Sequence, residues 1–312
     1  MTDSRKSVVR QWVKEVVFFC LFLLFLTESA WSQKESSLFL NGSVPEMLAG
    51  GFAFTEGPAA DSIGNVYFTD QPNDRIYIWT TDNHLELFLD STGRANGLYF
   101  DASGRLLSCS DRNNELWQIG PRKHTEVLVK EAEGRKLNGP NDLWVHPSGS
   151  IYFTDPLYVR PYWTRDPAMQ QDGENVWKLS PDRKSLQKAA GGFVRPNGIV
   201  GTPDGRFLYV ADIGADKTYV FTILPDGSLT NRKLFAEMGS DGMTLDEMGN
   251  VYLTGKGVTV FNRRGRKIAH IPVGAAWTAN VCFGGSDGKT LFITASEYLF
   301  SVRMKVRGAV AF

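Results

Sequence analysis

Side chains that carry oxygen recur at one position of a pattern that repeats six times along this sequence. Each of them stands eight residues before a glycine that opens a short apolar segment. The six positions are Glu56, Asn96, Asn141, Asn197, Asp241 and Asn280. Carboxylate and amide oxygens without His or Cys are the ligands that hard divalent cations prefer. The pattern therefore predicts a ring of oxygen ligands around one such ion.

The expected ion is calcium, because it accepts about six to eight oxygens in flexible geometry, whereas magnesium needs a tighter octahedron. Two carboxylates, Glu56 and Asp241, would offset its double charge. Magnesium, manganese and zinc stay open as alternatives. Zinc is disfavoured, because none of the four histidines falls in the ring.

A simpler interpretation of the same positions is that Asn-Gly and Asp-Gly pairs form turns. Asn96, Asn197 and Asp241 each precede a glycine. Glu56 is a poor turn residue, however, and Asn141 precedes an aspartate rather than a glycine. The ring of ligands therefore remains the favoured interpretation.

The glycines that define the repeat are followed by short segments rich in β-branched and aromatic residues, which are typical of strands. They are spaced 40, 45, 56, 44 and 39 residues apart, at Gly64, Gly104, Gly149, Gly205, Gly249 and Gly288. A period of about 40 to 45 residues with several short strands is typical of propeller blades. We therefore predict an all-β, six-bladed β-propeller that forms one domain over residues 33–312.

Apolar stretches just before the turn glycines are expected to be the innermost strand of each blade. The clearest are residues 97–101, 142–146, 198–202 and 242–246. Because innermost strands line the channel of a propeller, their first residues would meet at one channel mouth. This places the predicted ring around a single axis.

The first 32 residues have the pattern of a signal peptide, with a basic start, an apolar run over 16–26 and small residues at Ala30 and Ser32. We expect an exported protein, periplasmic or secreted, without stable membrane association after cleavage; a retained anchor is the alternative. Lys and Arg balance Asp and Glu at 34 each, which argues against nucleic acid as a partner. Cys109 and Cys282 are expected to be buried thiols, and the oligomeric state is left open.

Four motifs at the ring resemble the family of gluconolactonases, regucalcin (senescence marker protein) and luciferin-regenerating enzyme, and the bacterial gluconolactonases most. They are residues 55–58 (TEGP), 137–142 (LNGPND), 195–198 (RPNG) and 241–243 (DGM). The resemblance implies a calcium-type ion held by Glu56, Asn141, Asn197 and Asp241, with Asn96 and Asn280 either supporting these ligands from behind or facing the substrate. Regucalcin-like members carry an arginine where this chain has Gly139, which leaves sugar contacts of that kind unsupported.

Lactone hydrolysis is the activity that this resemblance implies, with glucono-1,5-lactone as the model substrate. A metal would polarise the carbonyl, and Asp241 would act as general base or, in a variant mechanism, as nucleophile. The extra length between the third and fourth turns lies over residues 155–175 and suits a lid, in which Tyr158 and Arg160 are expected to contact substrate. Ordinary loop packing of its aromatic residues is the alternative.

Two other functional classes remain open from the sequence. The same ring could serve a phosphotriester or aryl-ester hydrolase, or a non-enzymatic calcium-binding interaction propeller. A serine hydrolase is excluded, because the G-x-S-x-G match at residues 284–288 falls in a predicted strand-to-strand turn, whereas a nucleophile elbow joins a strand to a helix.

Overall fold

The computed structural model describes residues 38–40, 42–164 and 166–309, and every structural statement below concerns those residues. The predicted signal peptide, residues 1–32, lies outside them. No helix in the described ranges has the length and apolar character needed to cross a bilayer. The regular secondary structure of the described residues consists of strands and three short 3-10 helices, at Gln71–Asn73, Pro121–Lys123 and Ile213–Ala215.

The strands form six antiparallel sheets of four, numbered here along the chain. The first strand, β1 (Glu46–Gly50), belongs to the last sheet. Blade 1 comprises β2 (Thr55–Ala60), β3 (Val66–Asp70), β4 (Arg75–Trp79) and β5 (Leu85–Asp90). Blade 2 comprises β6 (Ala95–Phe100), β7 (Leu106–Ser110), β8 (Glu115–Ile119) and β9 (Thr125–Val129). A two-stranded hairpin follows, β10 (Glu131–Ala132) and β11 (Arg135–Lys136).

The second half of the chain continues the same pattern. Blade 3 comprises β12 (Leu143–Val145), β13 (Ile151–Asp155), β14 (Glu174–Leu179) and β15 (Leu186–Phe193). Blade 4 comprises β16 (Pro196–Gly201), β17 (Phe207–Asp212), β18 (Lys217–Ile223) and β19 (Leu229–Ala236). Blade 5 comprises β20 (Met243–Leu245), β21 (Val251–Gly255), β22 (Gly257–Phe261) and β23 (Lys267–Ile271). Blade 6 comprises β24 (Thr278–Gly284), β25 (Thr290–Ala295), β26 (Tyr298–Arg303) and, on its outside, β1.

The first strands of the six blades contact one another in a closed circle, β2 with β6, β12, β16, β20, β24 and back to β2. They therefore line the central axis, and the prediction of a six-bladed propeller is confirmed. The circle is closed by β1, which pairs with β26 and so joins the start of the propeller to its last blade. This arrangement leaves no open gap between the first and last blades.

Each predicted turn glycine ends a tight turn between the first and second strands of its blade. Its N–H donates to the carbonyl three residues earlier, as Gly64 does to Asp61 and Gly205 to Thr202. All six have φ between 65° and 100°, a region in which a side chain is strained. This geometry explains why glycine marks the repeat.

Aromatic residues fill the space between blades and build the core. Tyr67 of blade 1 packs edge-on against Phe100 of blade 2 at 5.0 Å, and Tyr252 of blade 5 packs against Phe283 of blade 6 at 5.4 Å. The two cysteines among the described residues, Cys109 and Cys282, are both free thiols. Cys109 is buried as predicted, whereas Cys282 is partly exposed. Each blade thus depends on its neighbours to cover its faces.

Candidate active site in the central channel

Irregular pairing at the start of the innermost strands aims the ring side chains at the channel. In blades 1, 2, 4 and 6 the register between the first and second strands shifts at or beside the ring residue. The shifts lie between Glu56 and Ala59, Ala95 and Leu98, Pro196 and Ile199, and Thr278 and Asn280. A bulge leaves a residue out of the ladder and re-aims its side chain.

The glycine that follows the ring residue in four blades permits close approach between blades. A Cβ added at Gly242 would lie 1.9 Å from the Asn280 Cγ, and one added at Gly97 would lie 2.6 Å from the carbonyl oxygen of Asn141. The Gly97 N–H donates to that carbonyl at 2.8 Å. Asn96 and Asn197 lie within β6 and β16, so the alternative that their Asn-Gly pairs form turns is wrong.

Asp241 and Asn197 contact each other directly, and both meet residues outside the ring. The Asn197 Nδ2 donates to the Asp241 Oδ1 at 2.8 Å and to the Tyr158 hydroxyl at 3.0 Å. The Trp277 Nε1 donates to the other carboxylate oxygen, Oδ2, at 2.6 Å. Both oxygens of Asp241 are therefore held in place.

Asn280 connects Glu56 to a third carboxylate, Asp142, which the sequence did not assign to the site. The Asn280 Nδ2 lies 3.5 Å from the Asp142 Oδ2, and the Asn280 side chain also hydrogen-bonds to Glu56. The Glu56 Oε2 accepts from the N–H of Gly57 at 2.9 Å. Glu56, Asp142 and Asn280 are all nearly buried, at 5–6% exposed.

The other two ring residues are fixed through their backbones. The N–H of Asn141 donates to the carbonyl of Thr154 at 2.9 Å, and the Thr69 hydroxyl donates to the carbonyl of Asn96 at 3.2 Å. Asn96 and Asn141 are as buried as Glu56. The closed circle of first strands places them at the same end of the channel as the other ring residues.

The negative charges of Glu56, Asp142 and Asp241 are not balanced by a cation within the cluster. Burial raises the pKa of Glu56 well above its usual value, and the charges of Asp241 and Asp142 raise it further. Burial also raises the pKa of Asp142 to about 7 and that of Asp241 to about 6, although the hydrogen bonds from Trp277 and Asn197 partly oppose the latter. A cation among them would favour the charged forms of all three.

The donor set fits a hard cation by its chemistry, because it offers carboxylate and amide oxygens without sulfur or imidazole. Among the residues that the structure describes, no three His, Cys, Asp or Glu side chains form a ready-made metal cage. The predicted set of Glu56, Asn141, Asn197 and Asp241 contains only two carboxylates, and its other two donors are amides. Asp142 adds a third negative charge beside them.

The segment between β13 and β14 crosses to blade 2 and is fastened there at Asp111. The Asp111 Oδ2 accepts from the Arg160 Nε at 2.8 Å and from the Tyr162 hydroxyl, and the Trp163 Nε1 donates to the Asp111 carbonyl at 3.1 Å. Asp111 therefore anchors this segment on blade 2. The aspartates that end the second strands of blades 1, 3 and 4, Asp70, Asp155 and Asp212, accept backbone N–H groups.

Tyr158 is the residue of this segment that contacts the ring, through its hydrogen bond with Asn197. The guanidinium of Arg160 lies 5.2 Å from the centre of its ring, and that of Arg195 lies 5.0 Å away. Burial, together with the charge of Asp241, raises the pKa of the Tyr158 hydroxyl to about 12. The two residues predicted to contact substrate, Tyr158 and Arg160, therefore lie together beside Asn197, in a segment packed against the channel mouth.

Comparison with known proteins gives the same family as the motifs. The model of the SMP-30/Gluconolactonase/LRE-like region matches residues 54–297. A gluconolactonase of Zymomonas mobilis is 28% identical over 86% of this chain and 84% of its own length. The structure of a Xanthomonas campestris gluconolactonase superposes with a TM-score of 0.79 at 29% identity, covering 86% of this chain and 91% of that chain. A regucalcin from Agrobacterium tumefaciens, described as a calcium-binding protein, shares the fold at 17% identity, with a TM-score of 0.71 over 85% of this chain and 95% of its own.

Proposed function

We propose that this chain, which belongs to the SMP-30/gluconolactonase/LRE-like family, opens sugar lactones such as glucono-1,5-lactone with a divalent cation held in its central channel. The prediction of a gluconolactonase-like lactone hydrolase is confirmed by its gluconolactonase relatives. The metal, the general base and the substrate are the finer parts of the proposal.

The observation that carries these finer parts is the convergence of Glu56, Asp142 and Asp241 at one end of the channel. Three carboxylates whose pKa values are raised by burial are costly to keep together without a cation. A propeller that serves only as a scaffold and binds no ion has no need for such a cluster. Strained electrostatics of this kind is typical of a functional site.

In this proposal Glu56, Asn141, Asn197 and Asp241 hold the ion, and calcium is the expected metal. When bound, the cation would supply Lewis-acid polarisation of the lactone carbonyl. Asn280, which touches both Glu56 and Asp142, would hold these carboxylates apart and in place. Asn96, at the equivalent position of blade 2, is not assigned to the ion and would face the substrate.

Asp241 would take the proton of the attacking water. A bound cation would keep the carboxyl group of Asp241 in its charged form, so that it is ready to accept this proton. Trp277 and Asn197 each engage one carboxylate oxygen, and each oxygen keeps a further lone pair for water. Tyr158 and Arg160 would orient the hydroxyl groups of the sugar ring.

The test follows acid release from glucono-1,5-lactone by the purified protein, corrected for spontaneous hydrolysis. Chelator should abolish the enzymatic rate, and calcium, magnesium, manganese or zinc added in turn should identify the metal that restores it. Asp241→Asn should lower kcat by roughly 100-fold or more, as expected for loss of a general base. The control is Asp226→Asn, which alters an exposed turn of blade 4.

Two outcomes would contradict separate parts of the proposal. Full activity after exhaustive chelation would remove the metal from the mechanism. Wild-type kcat in the metal-loaded Asp241→Asn variant would leave Asp241 as a ligand at most. Isothermal calorimetry of metal binding by Glu56→Gln and by Asp241→Asn separates loss of the ion from loss of the base.

A further inference from the structure

Arg195 stands at the channel mouth with its backbone fixed on both sides. Its N–H donates to the Asp212 Oδ1 at 2.8 Å, and its carbonyl accepts from the N–H of Ile213 at 3.0 Å. It directly precedes β16 and lies two residues before the ring residue Asn197. The position of its Cα relative to the ring is therefore set by the fold.

The Arg195 side chain extends from this point over Tyr158. Arg195 is exposed to solvent, and its guanidinium lies 5.0 Å from the centre of the Tyr158 ring. The hydroxyl of the same tyrosine accepts from Asn197 at 3.0 Å. A cation stacked on an aromatic face keeps its N–H edges available for a ligand.

The two arginines at Tyr158, Arg160 and Arg195, differ in whether a carboxylate pairs with them. Arg160 forms an ion pair with Asp111 at 2.8 Å. Within the described ranges, no carboxylate lies within 4.0 Å of the Arg195 guanidinium. The charge of Arg195 acts on the carboxyl group of Glu174, which is partly buried. Burial raises the pKa of Glu174 to about 7. Arg195 is thus a cation at this rim that no ion pair within the described ranges neutralises.

We propose that Arg195, stacked on Tyr158, forms a subsite for an anionic substituent of the lactone, so that the site prefers acidic sugar lactones to neutral ones. The inference rests on the proposed lactone hydrolysis and adds a substrate class to it. A guanidinium recognises phosphate or carboxylate through paired, charge-assisted hydrogen bonds, whereas a neutral hydroxyl gains much less from it.

The kinetic test compares 6-phosphoglucono-1,5-lactone with glucono-1,5-lactone, which differ only in the phosphate. The wild-type ratio of kcat/KM should favour the phosphorylated lactone, and Arg195→Gln should lower that ratio by about tenfold or more. Arg195→Lys keeps the charge and should retain part of the ratio. The matched control is Arg206→Gln, because Arg206 also stacks on an aromatic ring, Phe207, but lies beside the turn at the other end of blade 4.

A binding measurement separates this inference from the proposed reaction. Calorimetry with the open-chain acids 6-phosphogluconate, glucarate and gluconate needs no turnover. A subsite predicts tighter binding of the phosphate or the second carboxylate, lost in Arg195→Gln, and the two ligands show which anion it accepts. Equal binding of all three acids, or an unchanged ratio in Arg195→Gln, overturns the inference even if lactone hydrolysis is found. If hydrolysis fails while Arg195-dependent binding is present, the proposed reaction is wrong and the anion subsite stands.

Discussion

The indole N–H of Trp277 lies 2.6 Å from one carboxylate oxygen of Asp241, and these two residues come from neighbouring blades. Trp277 directly precedes β24 of blade 6, whereas Asp241 lies just before β20 of blade 5. The other oxygen is held by Asn197 of blade 4. Three consecutive blades therefore fix one carboxylate, so its orientation depends on how these neighbouring blades pack against one another.

Trp277→Phe should lower kcat/KM for glucono-1,5-lactone by about tenfold or more. The substitution keeps an aromatic ring but removes the donor, and a hydrogen bond to a charged group contributes about 1.5–3 kcal/mol. Trp117→Phe is the control, because the Trp117 Nε1 also donates to a carboxylate, that of Glu115, at 2.7 Å in the outer part of blade 2. Equal rates in the two variants would show that the Trp277 contact does not orient Asp241.

Gly242→Ala should destabilise the protein and weaken metal binding together. The new Cβ would lie 1.9 Å from the Asn280 Cγ, so the interface of blades 5 and 6 must open or Asn280 must leave the site. Overpacking of this kind costs about 1–3 kcal/mol. The free energy of unfolding in urea and the calorimetric affinity for calcium measure the two effects. Gly274→Ala, whose new Cβ would have nothing within 4 Å, is the control, and matching values in both variants would contradict the prediction.

The propeller and the ring could be predicted from the sequence because both repeat. Six turns with the same glycine, each ending an i to i+3 hydrogen bond, report the same local geometry six times. The ring follows from that repeat, since equivalent positions in equivalent blades meet at one axis. The same logic correctly placed the innermost strands of blades 2 to 5.

What the repeat could not reveal is what breaks it. Asp142 occupies a position that is glycine in four other blades, and this difference was the available signal for a third carboxylate. Trp277 and Asp111 act through contacts with residues 36 to 52 positions away along the chain, which no local pattern encodes. The closing strand β1 lies more than 200 residues from its partner β26, so its pairing depends on the closed ring itself.

Asp111→Asn should raise KM more than it lowers kcat. The change removes the charge that pairs with Arg160 and weakens the acceptor of the Tyr162 hydroxyl, so the segment over residues 156–173 loses its anchor on blade 2. Limited proteolysis should then cut this segment faster than in the wild type. The control is Asp101→Asn, which removes an aspartate–arginine pair at the turn of the same blade. A drop in kcat with unchanged KM and unchanged proteolysis would argue against a role of Asp111 in holding the segment.

Glu174→Gln should make the protein more stable than the wild type by an amount that grows as the pH rises from about 4.5 to about 7. The Glu174 Oε2 is buried without a hydrogen-bond partner among the described residues, and burial raises the pKa of this carboxyl to about 7. In the unfolded chain the same group titrates near its usual value of about 4.3. Between these two values the folded state binds the extra proton, so its stability falls with rising pH and levels off above the folded pKa. Urea unfolding of both proteins across this range, in chelator so that metal binding does not contribute, measures the difference. A difference that stays constant with pH would mean that the pKa of Glu174 is the same in the folded and the unfolded protein.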